Sequence, residues 1–256
     1  MAKKQRTIVG SPLTPTLLKG LDALNKLPFT PQDFKPDGNW VSTYRIWTCH
    51  GYRESGNENA GFLRIERTGD KKKTFALNIR REIVQTDAVT HIIDGTIKCR
   101  NNQLASPVEW KLQSRLFGPD GKNIPELLSS NSGKAAGDAE RTTSDFCLFE
   151  AVQRLAYDKE ISVSFDLLEG MRLSKPGHRL FYRGVSPLKM DGRDIMLHCF
   201  VQIGSGILPY EYWLDNRHRL LAVTSMNKAY ILDEQAEQII EKEAKEARKS
   251  YKSKRK

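Results

Sequence analysis

From about residue 40 onward, apolar and polar residues alternate along the chain with a period of two. In the run 75–83, Arg81 is the one break in the apolar face. A period of two places successive side chains on opposite faces of a strand, and antiparallel sheets tolerate one buried and one wet face. The pattern therefore predicts a mainly β chain of about ten strands. The other alternating runs are 89–98, 110–116, 161–167 and 195–203.

One segment breaks this period and predicts an amphipathic helix over 145–157. Phe146, Phe149 and Val152 fall on one stripe, and Ser144 or Asp145 is a suitable N-cap. Glu150, Gln153 and Arg154 are expected on the opposite, wet face. The apolar stripe is therefore expected to pack on the buried face of the antiparallel sheet, and a C-terminal charged helix is expected from about residue 233.

The distribution of prolines, period-two alternation and charge predicts three parts. These are an N-terminal arm over 1–39, a β-rich domain over 40–232 and a charged basic helical tail over 233–256. The arm contains five prolines and a short helical pattern at 17–24. The segment 118–144 is rich in Gly, Ser, Asn and Asp, which predicts a long mobile loop inserted in the domain. Asp120-Gly121 and Asp191-Gly192 predict tight hairpin turns.

The net charge of +10 is concentrated at the C-terminus, since 241–256 carries eight cations and three acids. Such a tail can attract nucleic acid or an anionic membrane, or it can be a solvated end. No apolar run approaches the ~20 residues of a membrane span, so no transmembrane segment is predicted. Lys3 and Lys4 are not followed by the apolar stretch that a signal peptide requires, so no signal peptide is predicted from the sequence as written. We expect a cytoplasmic protein if the chain is full length, and a periplasmic or envelope protein if an export signal was removed.

The familiar catalytic and metal-binding motifs are absent from the sequence. Cys49, Cys99, Cys147 and Cys199 form no CxxC pair and sit in apolar runs, which is typical of buried thiols; whether any pair is oxidised stays open. Ser205 between two glycines is not a GxSxG nucleophile. No catalytic residue, metal site or cofactor is expected, although an enzyme is not excluded. The residues that could still form such a site are the histidines His50, His91 and His198, the acid pairs Asp166 with Glu169 and Asp191 with Asp194, and the thiol of Cys147.

Of the residue types in this sequence, the aromatic side chains give the clearest indication of a possible binding site. Clustered aromatics can form a core, line an apolar ligand cavity or stack nucleic-acid bases. If they line a cavity between the helix and the sheet, both elements contribute to it. The ligand-binding residues predicted on this basis are Phe149 and Val152 from the helix and Tyr182, Phe200 and Trp213 from the sheet.

The stretch 204–215, which reads GSGILPYEYWLD, and the following Arg219-Leu220-Leu221 resemble the closing hairpin of a group of uncharacterised bacterial β-rich proteins. The resemblance covers about 180–232. Those proteins look like the lipoprotein-carrier type of fold, a long antiparallel sheet curled around a helix. The resemblance thus implies a mainly β fold for this chain: a curved antiparallel sheet, or half-open β-barrel, wrapped on the amphipathic helix, with the charged helix at the C-terminus. The resemblance implies export and the binding of lipid or of an acylated protein, but the chain shows no export signal.

The sequence thus predicts a non-enzymatic binding protein, with a hydrophobic ligand such as a lipid or acyl chain, in the bacterial envelope. One alternative is a hydrolase of unknown substrate with its site under the loop 118–144, where a perturbed carboxylate, thiol or imidazole should converge. Another is a nucleic-acid-associated protein that uses the basic tail.

Overall fold

The computed structural model describes residues 27–48, 58–69, 73–85, 88–135, 139–190 and 193–253. Within these residues, thirteen strands form one sheet and two segments form α-helices. The strands are β1 Trp40–Thr48, β2 Glu58–Thr68, β3 Thr74–Val84, β4 Thr90–Arg100, β5 Pro107–Phe117, β6 Ser129–Lys134, β7 Thr142–Ser144, β8 Ser162–Glu169, β9 Leu173–Met190, β10 Arg193–Ile203, β11 Tyr210–Leu214, β12 Leu220–Thr224 and β13 Lys228–Leu232; the helices are α1 Asp145–Ala151 and α2 Ala236–Ser253.

The sheet consists of two meanders that meet at its centre. Strands β1 to β6 pair in sequence, β8 to β13 do the same, and β13 pairs with β1. Every pairing is antiparallel except that of the short β7 with β8. The two ends of the sheet, β6 and β7, do not pair with each other, so the curled sheet stays open. Side chains span part of the gap, because the Asn131 amide donates to the Met171 carbonyl at 2.6 Å.

Helix α1 lies inside the curl. Ser144 caps it by accepting a hydrogen bond from the Cys147 N–H at 3.0 Å. The helix ends at Ala151, a 3-10 turn covers Val152–Arg154, and Leu155 is extended. The prediction of a helix over 145–157 was therefore too long at its C-terminal end. Beyond the turn the chain runs toward the β11–β12 hairpin, where the Tyr157 hydroxyl donates to the Asp215 carbonyl at 2.6 Å.

The prediction of a wet helix face was wrong for Glu150 and Gln153, which are both fully buried. The curled sheet covers α1 on this side as well. Glu150 is neutralised there, because the Nε atoms of Arg67 and Arg154 lie 2.9 and 2.7 Å from its carboxylate. The amide of Gln153 accepts a hydrogen bond from the Leu220 N–H at 3.1 Å. Charge pairing therefore satisfies a face that the polarity of the sequence assigned to water.

Helix α2 packs on the outer, convex face of the sheet, where Ala236 and Ile240 bury Phe62. The guanidinium of Arg248 donates to the Thr90 hydroxyl at 3.1 Å. A curved, mostly antiparallel sheet around one amphipathic helix, with a charged C-terminal helix, confirms the predicted fold class. The division into arm, domain and tail stays a prediction; the helical pattern at 17–24, the Asp191-Gly192 turn and residues 254–256 lie outside the described residues.

The segment 118–144 is not one long loop. It contains β6, β7 and two 3-10 turns, Pro125–Leu127 and Ala139–Arg141. The polar strand β6 was missed because an edge strand pairs on one side through its backbone and needs no apolar face. The predicted Asp120-Gly121 turn is present, and Gly121 has a φ of +83°.

Candidate ligand-binding cleft

A cleft of about 250 Å³ opens on the concave face of the sheet beside the first turn of α1. Its apolar part is formed by side chains from the helix and from both meanders, and its rim carries charged groups and tyrosines. The apolar lining includes Leu63, Phe146, Phe149, Leu167, Ile207 and Val223, and the polar lining includes Arg81, Asp145, Glu169, Gln202, Tyr210, Tyr212, Lys228 and Tyr230.

Arg81 enters the cleft from β3. Its position continues the inward face of Leu77 and Ile79, which are buried, so the alternation of the strand directs a guanidinium into an apolar interior. Within the described part of the chain, the buried Nε of Arg81 has no hydrogen-bond acceptor. A buried donor without a partner costs about 1–3 kcal/mol, and Arg81 shares this feature with seven other described arginines, so the position of its guanidinium in the cleft is the more specific observation.

Asp145, the first residue of α1, faces Arg81 across the cleft. Its Oδ1 accepts a hydrogen bond from the Gly170 N–H at 3.1 Å. Although part of its surface remains open to the cleft, the carboxyl is surrounded by protein atoms, and this burial raises its pKa to about 6. The hydrogen bond from Gly170 and the charge of Arg81 oppose that rise. Asp145 therefore changes charge close to neutral pH.

Lys228 is the second cation of the cleft and comes from β13. Burial lowers the pKa of its ammonium, and the nearby charge of Arg81 lowers it further. The carboxylates of Asp145 and Glu169 act in the opposite direction. Glu169 also forms an ion pair with Lys175 at 2.7 Å, so it is shared between two cations.

Tyrosines cover the wall between the cations and the helix. Tyr230 and Tyr212 meet Phe149 edge to face, with ring centroids 5.4 and 6.3 Å apart. Burial raises the pKa of both phenols, which therefore stay neutral hydrogen-bond donors. The Tyr212 hydroxyl already donates to the Gln202 amide oxygen at 2.8 Å.

The structure separates the five residues predicted to bind a ligand. Phe149 lines the cleft. Val152, Phe200 and Trp213 are fully buried in the core, and the Trp213 indole N–H donates to the Thr224 hydroxyl at 3.1 Å. Tyr182 lies in a separate aromatic cluster, where its hydroxyl contacts Nδ1 of His198 at 2.8 Å. A ligand-binding role for these residues stays a prediction.

That cluster is a stack of rings at the end of the β11–β12 hairpin. Tyr157 lies between His198 and His218, with centroid distances of 3.6 and 4.0 Å and nearly parallel planes. His198 also contacts the Asn216 amide oxygen through Nε2 at 2.9 Å, whereas His91 contacts the Ser114 hydroxyl at 2.7 Å. The described residues include no group of three His, Cys, Asp or Glu side chains that could hold a metal ion.

The other sequence candidates have local roles or fall outside the described residues. The Asp166 carboxylate accepts from the Gly177 N–H at 3.1 Å, which is a turn contact. The thiols of Cys99 and Cys147 are buried with their sulfurs 3.6 Å apart. His50 and Cys49 lie outside the described residues, and the placement of Asp191 and the side chain of Asp194 is not described.

A larger but shallow depression, about 470 Å³, lies on strands β4 to β6. It is open to solvent, and its lining includes Lys98, Lys111 and Lys134. The Lys134 ammonium lies 3.7 Å from the Glu109 carboxylate, and both side chains are largely exposed. The smaller cleft beside α1 is the better candidate, because it combines apolar walls with a few converging polar groups.

Sequence reasoning missed most of the cleft. Arg81 left a signal, since a charge interrupted an otherwise apolar strand face. Asp145 was considered only as a helix cap, and Lys228 and Tyr230 gave no signal, because their strand is short and its register with β1 cannot be known from the sequence.

No protein-family model matches the chain, and no curated protein matches it. Among solved structures, it is similar to a β-barrel-like protein of the domain of unknown function DUF1849 from Brucella abortus. The two chains are 10% identical, with a TM-score of 0.48, and the match covers 77% of this chain and 96% of the other. Of the described helices, none is both apolar and long enough to cross a membrane.

Proposed function

We propose that this protein is a non-enzymatic binding protein that takes up the apolar chain of a lipid or another acyl-bearing molecule. The ligand enters the cleft between α1 and the concave face of the sheet. One observation carries the proposal: the helix fills most of the interior but leaves a partly apolar cleft of about 250 Å³ beside Phe149.

The size of the cleft limits the ligand. Small-molecule sites typically begin at about 300 Å³, so this one holds a short chain or one end of a longer chain. Each buried methylene contributes about 0.8 kcal/mol, and six of them supply about 5 kcal/mol before the cost of association. The expected affinity for a simple chain is therefore weak, and polar contacts at the rim must add to it.

The test is calorimetric titration of the protein with decanol, a neutral ten-carbon chain. The matched variants are Ile207→Trp and Leu208→Trp. Ile207 lines the cleft, whereas its neighbour Leu208 is 44% exposed. We expect saturable binding that Ile207→Trp weakens at least tenfold and that Leu208→Trp leaves unchanged. If the unmodified protein and both variants bind decanol equally well, the decyl chain lies outside the cleft. If none of them binds decanol, the proposed lipid-binding function is rejected.

Hydrolysis is the second candidate, and Asp145 favours it. A carboxyl with a pKa of about 6 holds a proton close to neutral pH, as a general acid requires. The residues lining the cleft include no Ser, Cys or His, so a hydrolase would depend on Asp145 and Glu169. Turnover of nitrophenyl glycosides or esters that disappears in Asp145→Asn would favour this candidate over binding.

The remaining expectations have narrower support. The envelope location rests on the resemblance of 204–221 to exported proteins and stays a prediction. Nucleic-acid binding by the tail also stays a prediction, although 236–253 packs on the sheet rather than extending freely.

A further inference from the structure

We propose that the cleft selects ligands whose polar end is an anion, a carboxylate or a phosphate, held between Arg81 and Lys228. The inference rests on the proposed function, because it names the head group of a ligand whose chain the cleft accepts. Two cations from different meanders converge on one partly apolar cavity, Arg81 from β3 and Lys228 from β13.

The charges around the two cations do not balance. Neither Arg81 nor Lys228 forms an ion pair within 4.0 Å among the described residues. The cleft lining holds two carboxyls, Asp145 and Glu169, and Glu169 is paired with Lys175 beside it. With Lys175 counted, three cations face two carboxyls, so the site has a surplus of one positive charge even when Asp145 is ionised.

An anionic head group satisfies this surplus. A guanidinium presents its N–H donors in a planar fork that matches carboxylate and phosphate oxygens, and Arg81, unlike its neighbour Arg80, forms no ion pair among the described residues. Tyr210 and Tyr230 also line the cleft and can donate hydroxyl hydrogen bonds. The head group lies between the cations, and its chain runs along Phe149 toward the apolar lining.

The test compares four probes with the same ten-carbon chain: decanoate, decyl phosphate, decanol and decyltrimethylammonium. Each is titrated calorimetrically into the full chain at neutral pH and low salt. We expect at least one of the two anions to bind about tenfold or more tightly than decanol, as a charge-assisted contact predicts. The cation should bind more weakly than decanol. Which anion binds more tightly distinguishes a carboxylate head group from a phosphate.

The matched variants are Arg81→Gln and Arg80→Gln. These neighbours on β3 have opposite orientations, and the Arg80 side chain is 42% exposed beside Glu82 and Glu237. Arg81→Gln should remove the preference for the anion and leave decanol binding unchanged, which also shows that the variant folds. Arg80→Gln should keep the preference.

The outcomes separate this inference from the proposed function. If decanol and both anions bind equally well, or the cation binds best, the cleft accepts apolar chains but the anion preference is wrong. The same conclusion follows if Arg81→Gln keeps the preference. If no decyl probe binds, the proposed function fails and the inference fails with it.

Discussion

The substitution Arg67→Met, which removes a buried charge, should lower the free energy of unfolding more than the same substitution at a partly exposed arginine of the same strand. Arg67 and Glu150 both have fully buried side chains, and their ion pair holds α1 against β2. The guanidinium also donates to the Asp37 carbonyl at 2.7 Å and lies over the Phe75 ring, 4.2 Å from its centroid. The substitution leaves Glu150 with one partner, Arg154.

Removing one partner of a buried ion pair costs about 3–5 kcal/mol, because the other charge stays buried and less compensated. For a chain of this size, each kcal/mol lowers the melting temperature by about 2–4 °C, so a fall of roughly 6–20 °C is expected. Urea unfolding followed by near-UV circular dichroism measures the free energy, and a thermal scan measures the melting temperature.

Arg64→Met is the matched control, because Arg64 lies on the same strand and pairs with Glu66 where both side chains are about one-third exposed. Such a pair contributes at most about 1 kcal/mol. The double variant Arg67→Met with Glu150→Gln should recover part of the loss, since it removes the buried carboxylate, while the remaining Arg154 is partly exposed and still donates to the Asn102 carbonyl. Equal effects of Arg67→Met and Arg64→Met would refute the reasoning that Glu150 needs two buried cations.

Three further predictions concern single groups. Asp145→Asn should stabilise the protein by about 1–3 kcal/mol at pH 7 and have little effect near pH 4 in urea unfolding, because the raised pKa of about 6 favours the protonated folded state and that stabilisation is lost as the pH rises. In a Cys49→Ser background, Cys99 and Cys147 should resist a thiol reagent until the protein unfolds, because both are fully buried. Gly95→Ala should cost about 1–3 kcal/mol in the same unfolding assay, since the added Cβ would lie 2.1 Å from the Lys111 carbonyl oxygen.

Each of these predictions has a contrary outcome. A pH-independent effect of Asp145→Asn would mean that its carboxyl is ionised normally in the folded protein. Rapid modification of Cys99 or Cys147 under native conditions would mean that α1 opens readily from the sheet. A neutral Gly95→Ala would mean that β4 and β5 can separate there without cost.

The period-two pattern was sufficient to predict an antiparallel sheet, and the apolar stripe was sufficient to predict a helix packed on its buried face; the curvature of the sheet was implied by the resemblance of 204–221. Both patterns depend only on residues that are close together in the sequence. The burial of Glu150 could not be predicted, because its partner Arg67 is 83 positions away and pairs with it only in the folded chain. Strand β6 was missed because its three serines and single asparagine carry no periodic apolar signal.

The cleft shows the same limit. It forms where β3, β12 and β13 approach the start of α1, and the meander order that brings them together is not encoded in any local pattern. Of its charged groups, Arg81 alone broke a pattern visible in the sequence. A charge on an otherwise apolar strand face therefore indicated the candidate cleft better than the aromatic residues, of which Phe200 and Trp213 belong to the core.

The most direct test of ligand binding in the cleft is photo-crosslinking with a decanoate analogue that carries a diazirine near its methyl end, followed by peptide mass spectrometry. The account predicts saturable crosslinks on the peptide that contains Phe146 and Phe149, competed by unlabelled decanoate and weakened by Ile207→Trp. Crosslinks confined to the outer depression around Lys98 and Lys111, or none above a protein-free control, would contradict it.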